Sequence, residues 1–112
     1  MNGQQAERWA AHYLQQQGLQ LITQNYHSRF GEIDLIMKEK NGLVFVEVRQ
    51  RSHSDYGGAI ASIDCHKQHR LILAAQYYLM KLGRTPPCRF DVVLMDNPQG
   101  LNVQWIKNAF DA

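Results

Sequence analysis

Apolar and polar positions alternate with period two along Gly31-Glu32-Ile33-Asp34-Leu35-Ile36-Met37 and again along Leu43-Val44-Phe45-Val46-Glu47-Val48-Arg49-Gln50-Arg51. Such alternation turns successive side chains to opposite faces of a strand. Between the arms stands Glu39-Lys40-Asn41-Gly42, and an Asn-Gly pair favours a two-residue hairpin loop because both residues tolerate φ > 0. The chain is therefore expected to be organised around one antiparallel hairpin. With Asn41-Gly42 as the loop, Lys40 pairs with Leu43. The register then sets Ile36 opposite Glu47, Asp34 opposite Arg49 and Glu32 opposite Arg51, all on one face. Asp34 and Glu47 become diagonal neighbours with side chains within roughly 5 to 8 Å, close enough for one hard cation to bridge.

On either side of the hairpin the pattern changes period. Residues 3 to 17 place Ala6, Trp9, Ala10, Tyr13 and Leu14 at helical spacing, and Gly18 supplies the stop. Residues 19 to 26 read as a strand with Leu19, Leu21 and Thr23 on one side, making a three-strand antiparallel meander with the hairpin. Ser52-His53-Ser54-Asp55-Tyr56-Gly57-Gly58 has the composition of a loop passing near the hairpin acids. A second helix should begin near Ser62 or Asp64 and run to Gly83, where Thr85-Pro86-Pro87 blocks continuation. Its apolar stripe is Leu71, Ala74, Ala75, Tyr78 and Leu82, and Lys67 extends that stripe by one turn, which points it at the sheet. Residues 89 to 95 form a further strand, Asp96 to Gly100 a turn, and Leu101, Val103 and Trp105 alternate along a last strand.

The order α-β-β-β-α-β-β predicts an α/β (α+β) fold over residues 1 to 112, read as a single domain with helices covering a mixed sheet. If the strands before and after the second helix are parallel neighbours, their crossover should be right-handed.

Composition adds bounds rather than identity. The sequence of 112 residues is 45% hydrophobic and 20% charged, ordinary for a globular chain with one core. No apolar run reaches spanning length and the start lacks a signal-peptide pattern, so the expected compartment is cytoplasmic. Cys65 and Cys88 form neither a disulfide framework nor a zinc ribbon. Cys65 and His69, spaced i, i+4, fit zinc less well than a solvated helix face. Net charge is only +2, and although residues 49 to 89 carry seven Lys and Arg against Asp55 and Asp64, that balance is as compatible with no particular partner as with a phosphate-bearing ligand.

The chemistry concentrates on the hairpin. Asp34 with Arg49 and Glu32 with Arg51 can be read as cross-strand ion pairs on a solvated face, each contributing about 0.2 to 1 kcal/mol. Glu47 does not fit that reading. It interrupts Leu43-Val44-Phe45-Val46, where an ionised carboxylate needs a metal, a cation or a raised pKa. Glu7 lies at the margin of the first helix's apolar stripe, placed either by the helix dipole or by an approach to the sheet. Lys67 is read either as a lysine snorkelling off a core face or as a phosphate contact.

Glu7 in a first helix, the run Gly31 to Ile36, Phe45-Val46-Glu47-Val48-Arg49 with Arg51, Lys67 in a second helix and Arg89-Phe90-Asp91 resemble the bacterial UPF0102 (YraN-like) family. The resemblance extends to Asn108-Ala109-Phe110. That family is similar to archaeal Holliday junction resolvases of the PD-(D/E)xK nuclease superfamily. The resemblance implies a restriction-endonuclease-like core in which Asp34 and Glu47 bind Mg²⁺ or Mn²⁺, with the Val48 carbonyl as a further ligand. It also implies a catalytic set of Glu7, Asp34, Glu47 and Arg49, nucleic-acid contacts from Arg51 and Lys67, and a homodimer. Arg49 stands where the motif has lysine. Arginine can steady an anionic transition state, but it cannot take a proton and its planar fork places charge differently.

The expected function is a metal-dependent endonuclease acting on DNA, branched or otherwise structured. The alternative is a nuclease-fold module that binds DNA or a protein partner without cutting, which Arg49 favours. A purely structural domain is disfavoured by Glu47.

Overall fold

The computed structural model describes residues 2–51, 63–96 and 102–111. Along the chain run α1 (Gly3–Gln16), β1 (Gln20–Ser28), β2 (Gly31–Glu39), β3 (Gly42–Arg51), α2 (Cys65–Leu82), β4 (Cys88–Asp96) and β5 (Val103–Phe110). The fold class is the expected one, with two helices on a five-stranded mixed sheet ordered β1-β2-β3-β4-β5. β3 and β4 pair in parallel over their whole length and every other neighbouring pair is antiparallel.

Local signals place the helix ends. Asn2 caps α1, its side chain accepting from the Gln5 amide while the Gln5 side chain accepts from the Asn2 amide, a reciprocal capping box. Asp64 caps α2 by accepting from the Lys67 amide at 2.8 Å, and Gly83 closes it in the left-handed conformation. The expected loop at 52–58, a cap at Ser62 and the turn at 97–100 with Leu101 lie outside the described residues.

Each helix covers one face of the sheet. Ala6, Ala10, Ala11 and Leu14 of α1 pack on Leu35, Met37, Val44 and Val46. On the other face, Leu71, Ala74 and Ala75 of α2 pack on Ile33, Ile36, Phe45 and Phe90, with Tyr78 partly buried against them. Leu82, expected on that stripe, is instead 38% exposed, because α2 has run past the sheet by its last turn.

The hairpin register differs from the expected one. Lys38 pairs with Leu43 and Glu39 with Gly42, so the loop is Lys40-Asn41, and Lys40 takes the left-handed conformation at φ 55°. Gly42 is a strand residue. A Cβ there would stand 3.0 Å from the Pro87 carbonyl oxygen, which accepts the Leu43 amide at 2.8 Å. The glycine serves close approach to the segment leading into β4 rather than turn geometry. Because the slip is two residues, Ile36 and Glu47 keep a common face, but Glu32 leaves it at the irregularity around Asp34. Ile36 faces Phe45 rather than Glu47, and the ladder ends at Leu35/Val46, so one further step sets Asp34 directly beside Glu47.

Alternation also breaks at Asp34. Ile33 packs on the α2 face and Leu35 on the α1 face, whereas a regular strand would put both on one side. Asn25, at the matching position of β1, is left-handed at φ 59°.

Candidate metal and nucleic-acid site

Three acids from three elements meet where the β2–β3 ladder stops. Asp34 Oδ2 accepts the Val48 amide at 2.8 Å, so a side chain takes over where main-chain pairing ends. Glu47 is 4% exposed, and as an odd-numbered residue of β3 it shares the α2 face with Phe45. Glu7 approaches from α1. The break at Asp34 lets that one side chain interact with acids from both faces of the sheet. Since α1 begins at Gly3, Glu7 lies beyond the first turn, where the helix dipole would favour an acid.

Electrostatics follow from this crowding. Burial, then repulsion from Asp34 and hydrogen bonding to it, then repulsion from Glu32, raise the Glu7 carboxyl from 4.5 to about 7. Burial first, and Asp34 second, hold the Glu47 carboxyl well above the ordinary carboxylate range, against the opposing pull of Lys67 and Arg49. Glu7 Oε1 and Glu47 Oε1 are buried without hydrogen-bond partners.

Two cations lie on the other oxygen of Glu47. Arg49 Nε stands 3.1 Å and Lys67 Nζ 3.5 Å from Oε2. The Arg49 N–H is not aimed at that oxygen, so the contact is one of charge rather than a hydrogen bond. The expected Asp34–Arg49 pair is therefore replaced, because the shifted register sets Asp34 beside Glu47 and the Val48 amide, which leaves Arg49 with Glu47, its neighbour two residues back on the same strand. Glu32 Oε1 lies 3.2 Å from His27 Nδ1, and the Arg51 side chain of the expected Glu32 pair lies outside the described residues. Lys67 leaves the first turn of α2 toward the sheet, as its place on the stripe implied.

A second buried acid performs a different task. Asp91, 1% exposed, accepts from Arg89 Nε, Trp105 Nε1 and the Asn108 amide at 2.8 to 3.0 Å, and Arg89 Nη1 reaches Glu39 Oε1 at 2.6 Å. This network fastens β5 to β4 and β4 to the hairpin. Its signal in the sequence is the same as that of Glu47, an acid inside an apolar run, Phe90-Asp91-Val92-Val93.

The sequence profile described as "Uncharacterised protein family UPF0102" matches residues 6–95. This chain belongs to the UPF0102 family. The match takes in all of the acids and cations just described. A UPF0102 protein of Janthinobacterium sp. (strain Marseille) is 53% identical over 98% of this chain and 87% of its own length. One from Nitrosomonas europaea is 53% identical over 97% of this chain and 92% of its own. One from Nitrosospira multiformis is 48% identical over 99% and 93%. No described helix of this UPF0102 chain is long and apolar enough to cross a membrane.

The donor set fits a hard divalent ion in part. Among the described residues no three His, Cys, Asp or Glu side chains form a ready-made cage, and Cys65 and His69 are exposed on α2. Asp34 and Glu47 nonetheless offer hard carboxylate oxygens at one point, including the partnerless Glu47 Oε1. Mg²⁺ commonly takes one or two carboxylates and completes its shell with water and substrate phosphate.

Proposed function

We propose that this UPF0102 protein is a divalent-metal-dependent endonuclease acting on DNA, with structured or branched DNA as the substrate class. The supporting observation is that Asp34 stands between Glu47, buried on one face of the sheet, and Glu7, half-buried on the other, with an oxygen of each left unpartnered and an ammonium beside Glu47. Burying mutually repelling carboxylates is unfavourable unless something positive completes the site.

Asp34 and Glu47 would hold Mg²⁺ or Mn²⁺, which when bound supplies Lewis acidity at a phosphoryl oxygen and a water of lowered pKa. The Val48 amide fixes Asp34, so its carboxylate stands in place before any ligand arrives. Glu7, raised to about 7, can exchange a proton near neutrality. Hydrolysis forms a P–O bond from water and breaks the bond to the leaving alkoxide, and the charge gathered on phosphorus-bound oxygens needs a nearby cation. Lys67 supplies one beside Glu47 although Arg49 occupies the motif position. Arg51 and Lys67 would contact the phosphate backbone, and two copies would serve to cut both strands.

Arg49 favours a second reading, a module of the same fold that binds without cutting. The two are separated by a cleavage assay on duplex, single-stranded and four-way DNA with Mg²⁺ or Mn²⁺. Cutting by the native chain that disappears in Glu47→Ala supports the endonuclease. An inert native chain with an active Arg49→Lys variant supports the binding module.

A further inference from the structure

We infer that the outer face of α2, with the β1–β2 turn, forms a groove for an unpaired nucleotide of the same nucleic-acid strand that the carboxylate site would cut. This inference rests on the nucleic-acid reading above and names the part of the substrate it implies.

α2 carries two apolar stripes. Leu71, Ala74 and Ala75 are buried on the sheet, whereas Leu73, Tyr77 and Met80, spaced i, i+4 and i+7, face away from it. Against this second stripe packs the ring of Phe30, at 5.8 Å and 62° to Tyr77. Together with Arg29 and Gln76 these residues line a cleft of about 260 Å³ in which Met80 is 68% exposed. That volume lies just under the roughly 300 Å³ at which drug-sized sites begin, so it suits one planar ring.

The ring is held firmly. The Ser28 hydroxyl accepts the Phe30 amide at 3.1 Å and donates to the Gly31 carbonyl at 2.9 Å, fixing the turn that presents Phe30.

The charge around the cleft selects its occupant. Arg29 stands 4.9 Å over Phe30 and Lys81 5.1 Å over Tyr77. From Cys65 to Cys88 the sequence has Lys67, Arg70, Lys81 and Arg84 and no Asp or Glu. An apolar protein face would gain nothing from this one-signed rim, whereas a polyanion carrying flat bases matches both the rings and the cations. Arg70 of α2 packs beside the start of β2, where a Cβ at Gly31, three residues before Asp34, would stand 3.4 Å from Arg70 Cβ. From Lys67 to Tyr77 the helix rises about 15 Å at 1.5 Å per residue. That span equals roughly four to five nucleotides at 3.4 Å each, fewer in an extended strand.

Fluorescence anisotropy on the full chain in EDTA tests this, with an oligothymidylate and a blunt duplex of equal length as probes. Tyr77→Ala should weaken oligothymidylate binding about 5- to 100-fold while leaving duplex binding unchanged, and Tyr77→Phe should keep it. Met80→Asp, at an exposed position, should show the same selective loss and decides the matter if Tyr77→Ala does not fold. Native-like oligothymidylate binding by Met80→Asp and folded Tyr77→Ala, equal loss on both probes, or no binding by the native chain would overturn the proposal. So would a native dimer in sedimentation that Met80→Asp dissociates, which would make a second copy the occupant. Selective binding without metal-dependent cutting would leave the groove standing and remove the endonuclease reading alone.

Discussion

Lys67 Nζ lies 3.5 Å from Glu47 Oε2, joining the first turn of α2 to the middle of β3. The ammonium reaches the acid from the helix, so the strand position two residues after Glu47 is free to hold an arginine.

If that ammonium steadies charge on the reacting phosphate, Lys67→Ala should lower single-turnover cleavage about 100- to 1,000-fold, the usual loss on removing one preorganised donor. Arg49→Lys should change the rate less than Lys67→Ala does. A larger effect at Arg49 would return the role to the strand.

The raised acids set a pH dependence of stability. Glu7, held at about 7, and Glu47, also raised, keep their protons in the folded chain at pH values where the unfolded chain has released them. Stability from this source is fully present below about 4.5 and declines as pH rises through 7 and beyond. Thermal melts in EDTA should therefore fall between about pH 5 and pH 8. Mn²⁺ or Mg²⁺ should raise the melting temperature more at the upper end, since the ion binds the deprotonated acids.

Glu47→Gln should flatten that fall and abolish cutting. A neutral amide of the same size removes the buried charge, with an expected gain of about 1 to 3 kcal/mol at pH 8, several degrees in melting temperature. A variant that is both more stable and inactive would mark Glu47 as kept for function rather than for the fold.

Asp91 should behave oppositely. Asp91→Ala strands Arg89, Trp105 and Asn108 donors in the interior and should lower unfolding free energy in urea by about 3 to 5 kcal/mol. Trp105→Phe, which removes a single donor, should lower it by about 1 to 2 kcal/mol.

The hairpin register is open to a paired test. Gly42→Ala drives a methyl toward the Pro87 carbonyl and should destabilise by about 1 to 3 kcal/mol. Lys40→Gly relieves a left-handed lysine and should stabilise by about 0.5 to 1 kcal/mol. Were Asn41-Gly42 the loop, Gly42 would have φ > 0 and no carbonyl above it, and Lys40→Gly would gain nothing.

Element order and the location of both helices follow from periodicity because burial repeats along the chain at 3.6 or 2 residues, and the sheet and helices here obey it. Glu47 stood out because an acid in an apolar strand breaks its neighbours' pattern. The register did not follow, since the feature that fixes Gly42 is the carbonyl of Pro87, distant in sequence. The same limit applied to Arg49. Its separation from Asp34 depends on where β2 stops pairing, at the point where the Val48 amide donates to Asp34 Oδ2, and Glu47 on its own strand is what remains beside it. The sheet-facing stripe of α2 through Leu71, Ala74 and Ala75 was legible from its spacing, whereas the cleft beside Tyr77 was not, since Phe30 reaches it from the β1–β2 turn.

Residues 7, 34, 47 and 67 come from four separate elements, and the last of them lies within the crossover that joins β3 to its parallel neighbour β4. A chain emerging from the ribosome would carry the two strand acids long before the lysine of α2 had joined them. The grouping of these four side chains is thus completed only when the crossover helix docks on the sheet, a contact between residues distant in sequence.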